Sequence, residues 1–137
     1  MAEPYEVEVV AADRRVWQGR AVNVIVRTTE GDIGILPGHE PLLAALVPSA
    51  AEIVTAEGGR EIIAVDGGFV SVTPERVSLL AQYATLASEV RPDEAQRELD
   101  KLQVVIDSGD ATDEDEHRYR LALAQVAATK RGAQATH

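Results

Sequence analysis

Up to about residue 86, hydrophobic side chains recur at every second position. Tyr5-Glu6-Val7-Glu8-Val9-Val10 alternates, as does Ala21-Val22-Asn23-Val24-Ile25-Val26-Arg27. Ile53-Val54, Glu61-Ile62-Ile63-Ala64-Val65, Phe69-Val70-Ser71-Val72 and Arg76-Val77-Ser78-Leu79-Leu80 follow at short spacing. Glu57-Gly58-Gly59-Arg60, Asp66-Gly67-Gly68 and Thr73-Pro74-Glu75 stand between them as turn signals. Short β-branched runs with turns every ~8–12 residues predict an antiparallel sandwich or barrel. Gly58-Gly59 suits a tight hairpin, and Gly67-Gly68 a turn or bulge between consecutive strands.

After Ser88 the period becomes helical. Pro92 fits a first helical turn, where its missing N–H costs nothing, and Asp93 and Glu94 face the positive end of the helix dipole. Ala95, Leu99, Leu102 and Ile106 form one apolar stripe with Val105 beside it, and Gly109 supplies a left-handed stop. Asp110 to Glu116 then offers capping residues and first-turn acids for a second helix. That helix presents Tyr119, Leu123, Val126 and Ala127 on one face, with Leu121, Ala124 and Ala128 on a neighbouring stripe. A short Ser-Gly-Asp connector makes the pair an antiparallel hairpin. Its alanine-rich faces bury little area at ~25 cal/mol per Å², so the hairpin needs another surface to hold it. The expected organisation is a β-sandwich domain over residues 1–87 followed by a two-helix domain over 88–137.

Thr29 to Leu43 is the most specific stretch, with three glycines and two prolines set among Ile33, Ile35, Leu36, Leu42 and Leu43. Glycine frees φ and proline fixes it, so this density specifies one loop-strand-loop path rather than a linker. His39 sits in the middle, framed by Pro37-Gly38 and Glu40-Pro41, on a rigid turn of the kind that displays binding residues. A tight corner carrying a surface histidine is the plain structural alternative.

Charge adds one asymmetry. Residues 1–88 carry six arginines and twelve acids, and residues 89–116 carry eleven acids against Arg91, Arg97 and Lys101. Beyond Glu116 the cations Arg118, Arg120, Lys130 and Arg131 stand without an acid. An acidic segment followed by a basic one argues against general nucleic-acid binding and for oppositely charged helical faces that dock on each other or on partners. The chain has no cysteine, which excludes disulfides, thiolate catalysis and cysteine zinc sites. No leader-like segment and no run near the ~18 apolar residues of a membrane span is read, so a soluble chain is expected, with membrane contact only through a partner.

Catalysis finds little to stand on. Asp32, His39, Glu40, Asp66, His117 and His137 are the available polar groups. His39-Glu40 lacks the second histidine of a zinc helix, and neither a phosphate loop nor a nucleophile elbow occurs. No metal and no cofactor is expected, and the main alternative is a stand-alone β-sandwich binding module with a helical tail.

The residues resemble the epsilon subunits of F-type ATP synthases over essentially the whole chain. Val9-Val10-Ala11-Ala12-Asp13 leading to Val16-Trp17-Gln18-Gly19, the loop Glu30 to Leu43, Asp66-Gly67-Gly68-Phe69-Val70 and Val77-Ser78-Leu79-Leu80-Ala81 carry the resemblance. It implies a non-catalytic rotor component whose sandwich grips the foot of the gamma subunit and sits on the c-ring. His39, with Pro37, Gly38 and Leu42, matches the gamma interface. Glu30, Gly31 and Asp32 match the tip that meets the c-ring. The resemblance further implies a hairpin that either folds on the sandwich or extends into the alpha/beta hexamer and restrains ATP hydrolysis. In the extended form Arg118, Arg120, Lys130 and Arg131 are the candidate contacts to an acidic stretch of a beta subunit. Some bacterial members bind ATP through Ile/Leu-Asp-x-x-Arg-Ala at the start of the first helix. Here the register reads Val90-Arg91-Pro92-Asp93-Glu94-Ala95, with both charges reversed, so that site is not expected. The implied location is peripheral, on the cytoplasmic side of a bacterial cell membrane, with a plastid thylakoid as second choice.

Overall fold

The computed structural model describes residues 3–135. Among them nine strands precede two helices: β1 (Tyr5–Val10), β2 (Arg15–Thr28), β3 (Gly31–Ile35), β4 (Leu42–Leu46), β5 (Ser49–Thr55), β6 (Arg60–Val65), β7 (Gly68–Val72), β8 (Arg76–Leu80), β9 (Ala84–Leu86), α1 (Pro92–Ser108) and α2 (Asp113–Ala135). The sandwich followed by a helical hairpin is thus the architecture the hydrophobic periodicity predicts.

β2 organises the strands because it is long enough to serve two layers. Its first half pairs with β1, its middle with β5, and its last turn-side residues with β3. In one layer β1, β8, β7 and β4 run side by side, with β1 and β8 parallel, and Thr28 against Leu46 returns the path to β2. The other layer continues from β2 through β5 and β6 to β9. β1 and β3 lie end to end along one edge of β2, and the Tyr5 hydroxyl joins them by donating to the Ile35 carbonyl. Burial raises the Tyr5 phenol well above its ordinary range, which keeps that donor protonated.

Alternation fills the space between the layers. Val7, Val9, Val24, Val26, Ile35, Ile53, Ile63, Val65, Val70, Val77 and Leu79 are almost fully buried there. Each contributes roughly 1.5–3 kcal/mol by leaving water. Between β1 and β8 the polar edge is also tied. Ser78 donates to Glu8 at 3.0 Å, and that hydrogen bond, with Arg76 at 3.2 Å, holds the Glu8 carboxyl below its usual range.

The helices begin and end where their caps dictate. Pro92 opens α1, and Gly109 closes it at φ 83° with its N–H on the Ile106 carbonyl. Thr112 and Asp115 then cap α2 reciprocally, each backbone N–H donating to the other's side chain at 3.1 Å. α1 buries Ala95 and Leu102 on α2, while α2 carries the hairpin's contact with the sheet. Ala124 and Ala128 lie flat on Ala50, Ile62 and Ala64 of β5 and β6. The alanine stripe, rather than the Leu123 face, meets the strands, because small side chains let the helix axis come close.

Candidate functional site

The turn around His39 is built from the backbone outward. His39 N–H donates to the Leu36 carbonyl at 3.1 Å, and Gly38 sits at φ 87°, so the Pro37-Gly38 corner closes on itself. The His39 Nδ1 lies 2.7 Å from the Glu40 carbonyl. A carbonyl only accepts, so Nδ1 carries the proton and Nε2 is the nitrogen left for a partner. Pro37 and His39 are half-buried and Gly38 is exposed.

β4 leaves this turn with strict alternation. Leu42 packs against the core, and Leu43 points outward, 72% exposed. Along the same outer face, Ala45, Phe69, Leu80 and Val10 stand in register across β4, β7, β8 and β1. Phe69 is 53% and Leu80 45% exposed, and Leu36 in the preceding turn is 60% exposed. Large apolar side chains kept in water on one sheet face mark an interaction surface. Sequence reading names His39 and Leu42 but misses Leu43, Phe69 and Leu80. Two adjacent leucines conceal which one faces out, and only the strand register settles it.

Glu30 lies in the β2–β3 turn, and Gly31 and Asp32 open β3 beside it. Thr28 Oγ1 accepts from Glu30 N–H at 3.1 Å and donates to the Gly31 carbonyl at 2.8 Å. Gly31 takes φ 117°, a value a side chain would resist. Asp32 accepts from Arg27 Nε at 2.9 Å, and that guanidinium holds its carboxyl below the usual range. All three tip residues are exposed. The turn is also bonded to β4: Thr29 N–H donates to the Ala45 carbonyl at 3.0 Å and Val47 N–H to the Arg27 carbonyl at 3.1 Å. The tip and the apolar face therefore share one hydrogen-bonded frame.

Three of the four helix cations are occupied within the chain. Arg118 pairs with Glu98 of α1, Arg131 with Glu52 of β5 at 3.3 Å, and Arg120 donates to His117 Nδ1 at 3.1 Å. Lys130 is exposed. Glu52 and Asp66 are the two buried acids, their side chains 7% and 3% exposed, and both look at α2. Glu52 takes Arg60 from the sandwich and Arg131 from the helix. Asp66 accepts the Tyr83 N–H at 3.1 Å, and His117 Nε2 comes to 3.2 Å of its other oxygen, off line for a hydrogen bond. The Tyr83 ring meets His117 edge-on at 5.2 Å. So α2 meets a buried carboxylate near each end: Glu52, which sequence reading passes over because acids in strands ordinarily face water, and Asp66, which it names only as a turn residue and an available polar group.

Asp66 and His117 come together, whereas His39 and Glu40 lie in the turn before β4; His137 falls outside the described residues. Among the described residues no group of three or more His, Asp or Glu is set to hold a metal ion. Arg91 pairs with Glu94 at 3.4 Å at the start of α1, so the reversed charges of that register neutralise each other. No described helix is long and apolar enough to cross a membrane.

Comparison with known proteins agrees with this fold. Residues 4–87 match the family model of the ATP synthase Delta/Epsilon chain β-sandwich domain. The ATP synthase epsilon chain of Cutibacterium acnes is 50% identical over 135 residues, covering 93% of this chain and 92% of that one. That of Streptomyces avermitilis is 46% identical over 121 residues, covering 88% and 95%. A solved structure of the Euglena gracilis mitochondrial ATP synthase (OSCP, F1 and c-ring) contains a chain of the same fold. It has a TM-score of 0.74 at 20% identity, covering 95% of this chain and 81% of that one. The sandwich, its glycine-shaped turns and this near full-length likeness lead to one statement: the chain belongs to the ATP synthase epsilon-chain family.

Proposed function

We propose that this chain is a non-catalytic rotor subunit of an F-type ATP synthase, peripheral at the cytoplasmic face of a bacterial membrane. Its sandwich links the c-ring to the gamma subunit during ATP synthesis. The observation that carries the reading is the apolar row Ala45, Phe69, Leu80 and Val10 with Leu43 beside it, held outward on a hydrogen-bonded layer. This row, with the His39 turn at its margin, is the surface offered to gamma. Glu30, Gly31 and Asp32 are offered to the polar loops of the ring. Torque requires little angular slack between the two contacts. A close-packed sheet gives that, because Thr29 and Arg27 of the tip region are bonded directly into β4 and the segment after it.

The hairpin is the regulatory part. On the sandwich its arginines are satisfied by the chain's own Glu98 and Glu52. Release from the sandwich frees Arg131 from Glu52, and in the extended hairpin Arg118, Arg120, Lys130 and Arg131 meet the alpha/beta hexamer and restrain ATP hydrolysis. Removing the chain after Ser88 leaves the sandwich core untouched, since every residue of the main buried cluster precedes it. The reconstituted enzyme carrying this shortened chain is expected to hydrolyse ATP several-fold faster while still binding gamma. Hydrolysis at the intact rate would reject an inhibitory hairpin.

A further inference from the structure

The C-terminal half of α2 and the β2–β3 tip open onto one cleft. Arg27, Asp32, Ser49, Leu123 and Arg131 are among the residues lining its volume of about 340 Å³. Within and beside it the charges alternate. Arg27 holds Asp32 at 2.9 Å, Arg131 faces the same cleft and reaches Glu52 at 3.3 Å, and Arg60 closes the series on Glu52. Three guanidinium groups thus share two carboxylates. The positive charge of Arg131 also contributes to lowering the Asp32 carboxyl, after the larger effect of Arg27. If the Asp32 charge is neutralised or drawn away, Arg27 and Arg131 are left facing each other with Glu52 as the one nearby anion.

We propose that this charge series couples the tip to the hairpin. Engagement of the Asp32 carboxylate by a partner loosens α2 from the sandwich. By thermodynamic reciprocity, a docked α2 weakens the tip's hold on that partner. The partner is a loop presenting cations or N–H donors to a carboxylate. Its identity as the c-ring rests on the reading above, but the coupling itself belongs to the chain alone. In this arrangement the hairpin senses whether the tip is occupied, and Arg131 serves as the shared cation.

The absence of cysteine makes the test direct. Ile62 lies beneath Ala124 and Ala128 of α2, so an Ile62→Cys thiol reacts with a labelling reagent only when the helix lifts. In the full-length chain on this background, Asp32→Asn is expected to raise the labelling rate about two- to fivefold, the range for partly exposed ion pairs. Arg131→Gln raises it at least as much. The double variant Arg27→Gln/Asp32→Asn removes the surplus cation and returns the rate to that of the parent. Should Ile62→Cys disturb the packing, Ala50→Cys, under the same helix contact, reads the same ratios. An Asp32→Asn chain that labels at the parent rate while Arg131→Gln labels faster overturns the coupling. If labelling shifts as expected yet the assembled enzyme with Asp32→Asn pumps protons normally, the ring-contact reading falls and the coupling stands.

Discussion

Replacing Leu43 and Phe69 together by glutamate is expected to weaken binding to gamma by about a hundredfold or more, with the fold unchanged. Both side chains point into water, 72% and 53% exposed, so their loss removes no core contact. At an interface centre the same side chains would act as anchors, and losing an anchor costs about 2–4 kcal/mol. Two carboxylates placed there would also have to be desolvated against an apolar partner. Titration of purified gamma into the parent and the variant, alongside their thermal unfolding, separates the two effects. Equal affinities with equal stabilities would remove the apolar row from the account.

Gly68→Ala carries the largest expected effect on stability. Gly68 adopts φ 99°, and a Cβ there would lie 1.9 Å from the Leu80 carbonyl oxygen and 2.9 Å from the Ala81 Cα. Those are backbone atoms of the neighbouring strand, so no side-chain rotation relieves the clash. The turn between β6 and β7 would have to open, at a cost of about 3 kcal/mol or more. Gly38 is the internal control. Its φ of 87° is similarly unfavourable to a side chain, but nothing lies within 4 Å of a Cβ there. Gly38→Ala should cost only about 1–2 kcal/mol. Denaturant midpoints of the two variants measure the difference, and equal midpoints would show that the Leu80 contact yields.

The contrast between these two glycines shows what was legible in the chain. Composition marks Gly67-Gly68 as a turn, and the alternation on either side of it correctly predicts β6, β7 and β8. Only the fold reveals that a third strand end presses on that turn. Likewise β2 is readable from Ala21 onward, where β-branched residues alternate, but its first six residues, Arg15-Val16-Trp17-Gln18-Gly19-Arg20, lack that signal. Their strand character comes from pairing with β1, a tertiary cause. β9, with three residues, is held by β6 in the same way.

The candidate site divides similarly. The Glu30 to Leu43 turns are specified by local glycine and proline chemistry, so their exposure and position follow from sequence. The helical part resists such reading because α2 carries alanine or leucine on most faces, and its amphipathic signal is weak. Which stripe meets the sheet is decided by Ala50, Ile62 and Ala64, residues on other elements. The burial of Glu52 is hidden for a related reason: an acid in a strand is buried when a distant cation arrives, and Arg131 is 79 residues further along the chain.

The most direct measurement is a pair of single-cysteine variants in the assembled enzyme, Phe69→Cys and Asp32→Cys, each carrying a short photoreactive linker. Illumination is predicted to join position 69 to gamma and position 32 to a c subunit, and rotation-coupled proton pumping should continue in both, because the joined partners turn together. Position 69 remaining unlinked to gamma and open to alkylation in the complete enzyme would contradict the account at its centre.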